Sequence, residues 1–170
     1  AIYDSVSIEV ESAGYTFRAT HSSVKFSGYT AVYVDIKLAY FVNAGGTTCT
    51  ITGLGDFTGT DLIIPEKIDG MTVVEIGESA FADCTALMEV DLPADGVTHI
   101  GERAFSGCMS ITRVRLPKSL KKLDYGFLYG CERLQLLLYM GTEQQWDRVE
   151  KTWKQWNAGI VKQAEFNKNL

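Results

Sequence analysis

The chain has 170 residues, 46% of them hydrophobic and 22% charged, with a formal net charge of −5; this composition excludes a disordered or collagen-like polymer. No stretch approaches the ~18 uninterrupted apolar residues of a membrane-spanning helix, and a chain of this size buries enough surface to need no disulfide or metal staples. The net negative charge argues against a generic nucleic-acid binder, but the charge is uneven: residues 1–60 carry 3 basic and 5 acidic groups, residues 61–110 carry 2 and 10, and residues 111–170 carry 11 and 6, a polarity that can orient partners. The chain opens on Ala1, as it would after trimming or removal of a signal peptide. In chain order, residues 1–37 read as a β-rich head. Val6, Ile8 and Val10 alternate with polar residues, Ala13 and Gly14 mark a turn, and Tyr15, Phe17 and Ala19 resume the alternation. Val24 to Phe26 and Val32 to Ile36 predict two further strands. Leu38 to Ile51 predicts a hairpin leading into the next unit, so residues 38–60 form the entry to it.

From residue 61 the chain repeats itself. Cys84, Leu87, Val90, Leu92 and Pro93 recur as Cys108, Ile111, Val114, Leu116 and Pro117, and again, without the proline, as Cys131, Leu134, Leu137 and Tyr139. Leu62, Ile64 and Pro65 supply the end of the same template upstream. The other half of the unit recurs too, as Ile76, Gly77, Ala80 and Phe81, then Ile100, Gly101, Ala104 and Phe105, then Leu123, Phe127 and Leu128. The period is 24 residues from Cys84 to Cys108 and 23 from Cys108 to Cys131. Repeats of this length mean stacked coils, because one coil cannot bury its own apolar edge. Equivalent strands then pair in parallel ~4.8 Å apart, with Phe81, Phe105 and Leu128 in one internal ladder and Cys84, Cys108 and Cys131 in another.

These units resemble the BspA-type, or treponemal-type, leucine-rich repeat, over about residues 40–150. The resemblance implies an α/β repeat solenoid with one parallel strand per coil, of the kind found on bacterial surface or secreted proteins that bind other macromolecules. The third unit departs from the pattern, with Phe127 and Leu128 for Ala-Phe, as if the array of coils over 61–141 were ending. Residues 3–34 additionally resemble a strand segment of bacterial type IA topoisomerases. That family's catalytic tyrosine and acidic metal-binding regions have no counterpart here, so no cleavage activity carries over. The head is then either a fusion remnant or a β cap that blocks the exposed edge of the array, and a fusion would place the protein in the cytoplasm.

Residues 142–170 predict a cap for the other end. Thr142 and Gln145 fit a capping box, and Trp146, Val149, Trp153 and Trp156 follow at helical spacing, predicting a helix over 142–157 with all three tryptophans on one face. A cap and a partner-binding helix both fit such a face. Residues 160–166 add a final strand.

Nothing in the sequence spells an active site, and the chain reads as no enzyme, with no catalytic, cofactor-binding or metal-ligating set. The cysteines lack the short pairs of zinc sites and are expected to pack as small hydrophobes, Cys49 included. His99 falls at a turn position expected to be exposed, and His21 has no acidic or thiol motif nearby. The glycines from Gly53 to Gly59 precede a strand, the wrong order for a phosphate cradle. The exposed strand face is more informative: across successive coils one row reads Asp61, Glu89, Arg113, Leu136 and the next reads Ile63, Asp91, Arg115, Leu138. These opposite charges serve either as a register device on a wet sheet or as a ligand-facing surface, since solenoid sheets are habitual binding faces. The candidate partner-binding residues are therefore Glu89, Asp91, Arg113, Arg115, Leu136 and Leu138, and the partner expected is another protein, with nucleic acid as the alternative and no membrane insertion.

Overall fold

A computed structural model of the chain describes residues 38–152 in full, and outside them the backbone of strands β1 (Val6–Ser12), β2 (Tyr15–His21), β3 (Lys25–Ser27) and β4 (Thr30–Val32) and of a last strand near residue 165. β1 and β2 pair antiparallel, as do β3 and β4, each pair forming a two-stranded sheet of its own. The expected turn at 13–14 and residues 33–36 of the fourth strand lie outside the described residues.

The array begins with an antiparallel hairpin, β5 (Ala39–Val42) and β6 (Thr48–Gly53). There follow β7 (Asp61–Ile63), the short β8 (Lys67–Ile68), β9 (Met71–Ile76), β10 (Glu89–Asp91), β11 (His99–Ile100), β12 (Arg113–Leu116), β13 (Lys122–Leu123) and β14 (Leu136–Tyr139). A helix, α1 (Glu143–Asp147), then precedes β15 (Glu150–Lys151) and β16 (Ala164–Phe166). Each coil contributes a strand to both of two parallel sheets, giving a solenoid of about four turns. The first sheet runs β16-β14-β12-β10-β7; the second runs β15-β13-β11-β9-β6-β5, with β8 folded antiparallel onto β9.

The core lies between the sheets and is a stack of ladders. Leu62, Val90, Val114 and Leu137 are level in the first sheet, and Ile51, Ile76, Ile100 and Leu123 in the second; all eight are buried. The Phe81 and Phe105 rings stack with centroids 5.1 Å apart and planes 17° from parallel, with Leu128 also buried. Cys49, Cys108 and Cys131 are buried, Cys84 is half-buried, and all four are free thiols.

The fold corrects the α/β expectation in two respects: a coil gives two parallel strands, one to each sheet, where one was expected, and turns, rather than helices, join them. The reason for the turns is a pair of left-handed residues in each coil. Ser79, Arg103 and Gly126 hold φ of +53°, +54° and +66° at one position, and Asp83, Gly107 and Gly130 hold +57°, +73° and +77° at the other. A residue in that conformation cannot continue a right-handed helix.

The helix expected over 142–157 is also corrected. α1 keeps the capping box, with the Gln145 amide donating to Thr142 Oγ1 at 3.3 Å and the Thr142 amide to Gln145 Oε1 at 2.8 Å. It stops at Asp147, because the chain then joins the second sheet: the Glu150 amide donates to the Lys121 carbonyl at 2.8 Å and the Thr152 amide to the Leu123 carbonyl at 3.2 Å. Lys151 Nζ seals the end of the helix, donating to the carbonyls of Trp146 (2.7 Å) and Val149 (3.0 Å). Trp146 is buried against Tyr139, ring centroids 5.0 Å apart. Val149 is buried but not helical, and Trp153 and Trp156 lie outside the described residues.

Candidate interaction surface

The outer face of the first sheet brings the candidate residues together. Parallel register sets Asp61, Glu89, Arg113 and Leu136 in one row and Ile63, Asp91, Arg115 and Leu138 in the next. Alternation along each strand decides which side chains face out: Val90, Val114 and Leu137 point into the core, leaving their neighbours half-exposed. Leu136 and Leu138 belong to the half-exposed set, and β16 continues the sheet beyond them, Leu138 standing level with Glu165.

The charges on this face largely answer one another. Arg113 Nη2 pairs with Glu89 Oε2, and its Nε donates to the same oxygen at 3.1 Å. That hydrogen bond, more than the nearby charges, holds the Arg113 guanidinium still more firmly protonated. Asp91 Oδ2 lies 3.6 Å from Arg113 Nη2 and 3.5 Å from Arg115 Nη2. Asp91 is the most enclosed of the four, its side chain 14% exposed against 41% for Glu89 and 35% for Arg115. Its Oδ1 and the Nε of Arg115 are buried without a hydrogen-bond partner. A sheet this wet at its margins and this enclosed at its centre can hold register and still present a patterned surface: carboxylates toward β7, guanidiniums on β12, leucines on β14.

A second polar row, on the outer face of the second sheet, is one that residue-by-residue reading missed. His99 is half-buried within β11, not at an exposed turn, because its coil places it level with Glu75 on one side and Lys122 on the other. Its Nδ1 lies 3.1 Å from Glu75 Oε1 and its Nε2 lies 2.7 Å from Asp124 Oδ2. Lys122 Nζ is 2.9 Å from Asp124 Oδ1. Burial works against the Asp124 carboxylate, but hydrogen bonds from Lys122 and His99 outweigh it and draw its carboxyl below the ordinary range. The signal was present in the 24-residue step from Glu75 to His99, which makes the two neighbours across the coils. Among the described residues no cluster of His, Cys, Asp and Glu has the form of a metal site, and no helix is long and apolar enough to cross a membrane.

Comparison with known proteins accords with this architecture. Residues 58–143, just over half the chain, match the family described as the BspA type leucine rich repeat region (6 copies). A solved leucine-rich repeat protein of T. pallidum is 28% identical with a TM-score of 0.56, the match covering 61% of this chain and 51% of that one. One from Bacteroides ovatus is also 28% identical, TM-score 0.54, covering 63% and 29%. A third, from Bacteroides capillosus, shares the fold at 24% identity, TM-score 0.55, covering 63% and 80%. This chain thus spans about half of the T. pallidum protein and under a third of the B. ovatus one. No curated protein matches it. The matched family region lies wholly outside residues 3–34, where the topoisomerase resemblance was read. Repeat, register and relatives agree: the chain belongs to the BspA-type leucine-rich repeat family.

Proposed function

We propose that this chain is a non-catalytic protein-interaction module that takes its partner on the outer face of the first sheet, at Glu89, Asp91, Arg113, Arg115, Leu136 and Leu138. The observation that carries the reading is the in-register pair of half-exposed rows, which sets carboxylates, guanidiniums and leucines side by side over three strands. Solenoid proteins bind through extended surfaces of this kind, and bacterial leucine-rich repeat proteins are its structural neighbours. A bacterial surface or secreted location suits such a module.

The test is comparative capture of partners from the medium and surface fraction of the source bacterium. Wild type is set against Arg113→Gln/Arg115→Gln and against Lys121→Gln, an exposed change just before β13 of the second sheet. Support is a protein held by wild type and by Lys121→Gln but lost by the arginine double variant. A protein held equally by all three, or none held by wild type, sinks the reading.

A further inference from the structure

His99 holds the centre of the polar row on the second sheet, and both of its ring nitrogens face a carboxylate. Nδ1 lies 3.1 Å from Glu75 Oε1, one coil back, and Nε2 lies 2.7 Å from Asp124 Oδ2, one coil on. Main-chain bonds hold this spacing on both sides: the Gly101 amide donates to the Ile76 carbonyl at 2.8 Å and the Asp124 amide to the Ile100 carbonyl at 2.9 Å. A neutral imidazole has one N–H and one bare lone pair, and an ionised carboxylate only accepts. Whichever tautomer the neutral ring takes, its lone pair meets a carboxylate oxygen that has no hydrogen to give. The doubly protonated ring presents an N–H to each side.

The surrounding charges favour that same state. Facing His99 are Glu75 of β9, Lys122 of β13 and Asp124 just beyond it, with Glu150 of β15 level with Lys122. Three carboxylates thus stand around one ammonium, an excess of negative charge that a protonated His99 reduces. The two contacts are unequal. The Nε2 contact is the shorter, and the Asp124 side chain is 19% exposed against 34% for Glu75, while Lys122 Nζ holds the other oxygen of Asp124 at 2.9 Å.

We propose that His99 is a proton-operated clamp between coils. Holding both protons, it ties β11 to Glu75 on β9 and to Asp124 beyond β13, so that one ring joins three successive coils. Nδ1, on the longer and more open contact, is the nitrogen that gives its proton to solvent. A lone pair then faces Glu75, and that link is lost while the link to Asp124 remains. Coupling is complete between pH ~4, where carboxylates are ionised, and the ordinary histidine range near ~6.5. It is lost as pH rises and the proton leaves. The array is therefore held more firmly on the acid side of neutrality than on the alkaline side.

Thermal unfolding of the full chain at pH ~6 and pH ~9, on either side of histidine titration, tests this. His99→Gln cannot take up a proton, and Glu75→Gln gives a neutral ring a partner able to donate. Wild type is expected to melt ~2–4 °C above His99→Gln at pH ~6, the shift one half-exposed ion pair brings in a chain of this size, and to lose most of that margin at pH ~9. Glu75→Gln is expected to flatten the pH dependence as His99→Gln does, and His21→Gln, at the other histidine, to leave it as in wild type. In the His21→Gln background, a long-range proton–nitrogen spectrum of the imidazole reads the ring directly: both nitrogens protonated at pH ~6, and Nδ1 alone bare at pH ~9. If His99→Gln does not fold, that spectrum decides. A margin equal at the two pH values, or a His99 already neutral at the lower one, overturns the proposal.

Discussion

The thiol of Cys108 donates to the main-chain carbonyl of Phe81, one coil back, at 3.0 Å. Cys131 repeats the rung to Phe105 at 3.2 Å, and Cys84 instead reaches the Ala82 carbonyl at 3.8 Å. The repeating cysteine is thus a small apolar filler that also ties neighbouring coils together. Burial pushes the Cys108 and Cys131 thiols up to about 12, with the neighbouring Cys131 adding to the effect on Cys108. Titration with a thiol-specific disulfide reagent at neutral pH should therefore label the half-buried Cys84 first and leave Cys108 and Cys131 untouched until denaturant is added. Native labelling of Cys108 as fast as Cys84 would contradict this.

The stacked Phe81 and Phe105 rings fill the turn corner of adjacent coils. Phe105→Ala should cost about 3–5 kcal/mol in denaturant unfolding. Phe105→Leu, which copies the rung that Leu128 already supplies, should cost well under half of that. Equal losses would mean that ring stacking, rather than filled volume, holds the corner.

Two backbone positions invite opposite outcomes. Arg103 sits at φ +54°, so Arg103→Gly should raise stability by up to about 1 kcal/mol. A Cβ at Gly101 would lie 2.7 Å from the Glu78 amide nitrogen and 2.8 Å from the Gly77 carbonyl carbon. Both are backbone atoms of the preceding coil with no rotamer to give way. Gly101→Ala should lower the melting temperature sharply, and an unchanged value would show that the coils can part at no cost.

Acid should weaken the second sheet through Asp124. Its folded carboxyl titrates below its unfolded value, so the stabilisation is complete above ~4, the usual aspartate range. It is lost as pH falls through the lower folded value. Between about pH 5 and pH 2 the wild type should lose more thermal stability than Asp124→Asn. Parallel losses would show that the links of Asp124 to His99 and Lys122 carry no net stabilisation.

Most of the solenoid could be read from spacing, because a 23–24-residue period allows few ways of stacking and fixes which residues share a row. The pairings of Glu89 with Arg113 and of Asp91 with Arg115 follow from that period alone. What escaped were features governed by the competition between elements. The spacing of Trp146 and Val149 fits a helix, yet the open edge of β13 captures Glu150 and Lys151 and ends α1 at Asp147. The left-handed backbone at Ser79, Asp83 and Arg103 carries no glycine to announce it. His99 looked isolated because its partners, Glu75 and Asp124, are a full coil away along the chain and within a hydrogen bond of it in space.

Among the described residues, the thiol of Cys108 on the Phe81 carbonyl, the Phe81 ring on Phe105 and the Arg113 guanidinium on Glu89 each join a coil to its neighbour. Nearest-neighbour coupling of this kind has a mechanical meaning. Pulled from its two ends, the array has no single bond whose failure releases the whole. It should yield coil by coil, lengthening in steps under a nearly constant force, and re-form in the same increments when the load is removed. An array built this way absorbs tension gradually, one coil at a time.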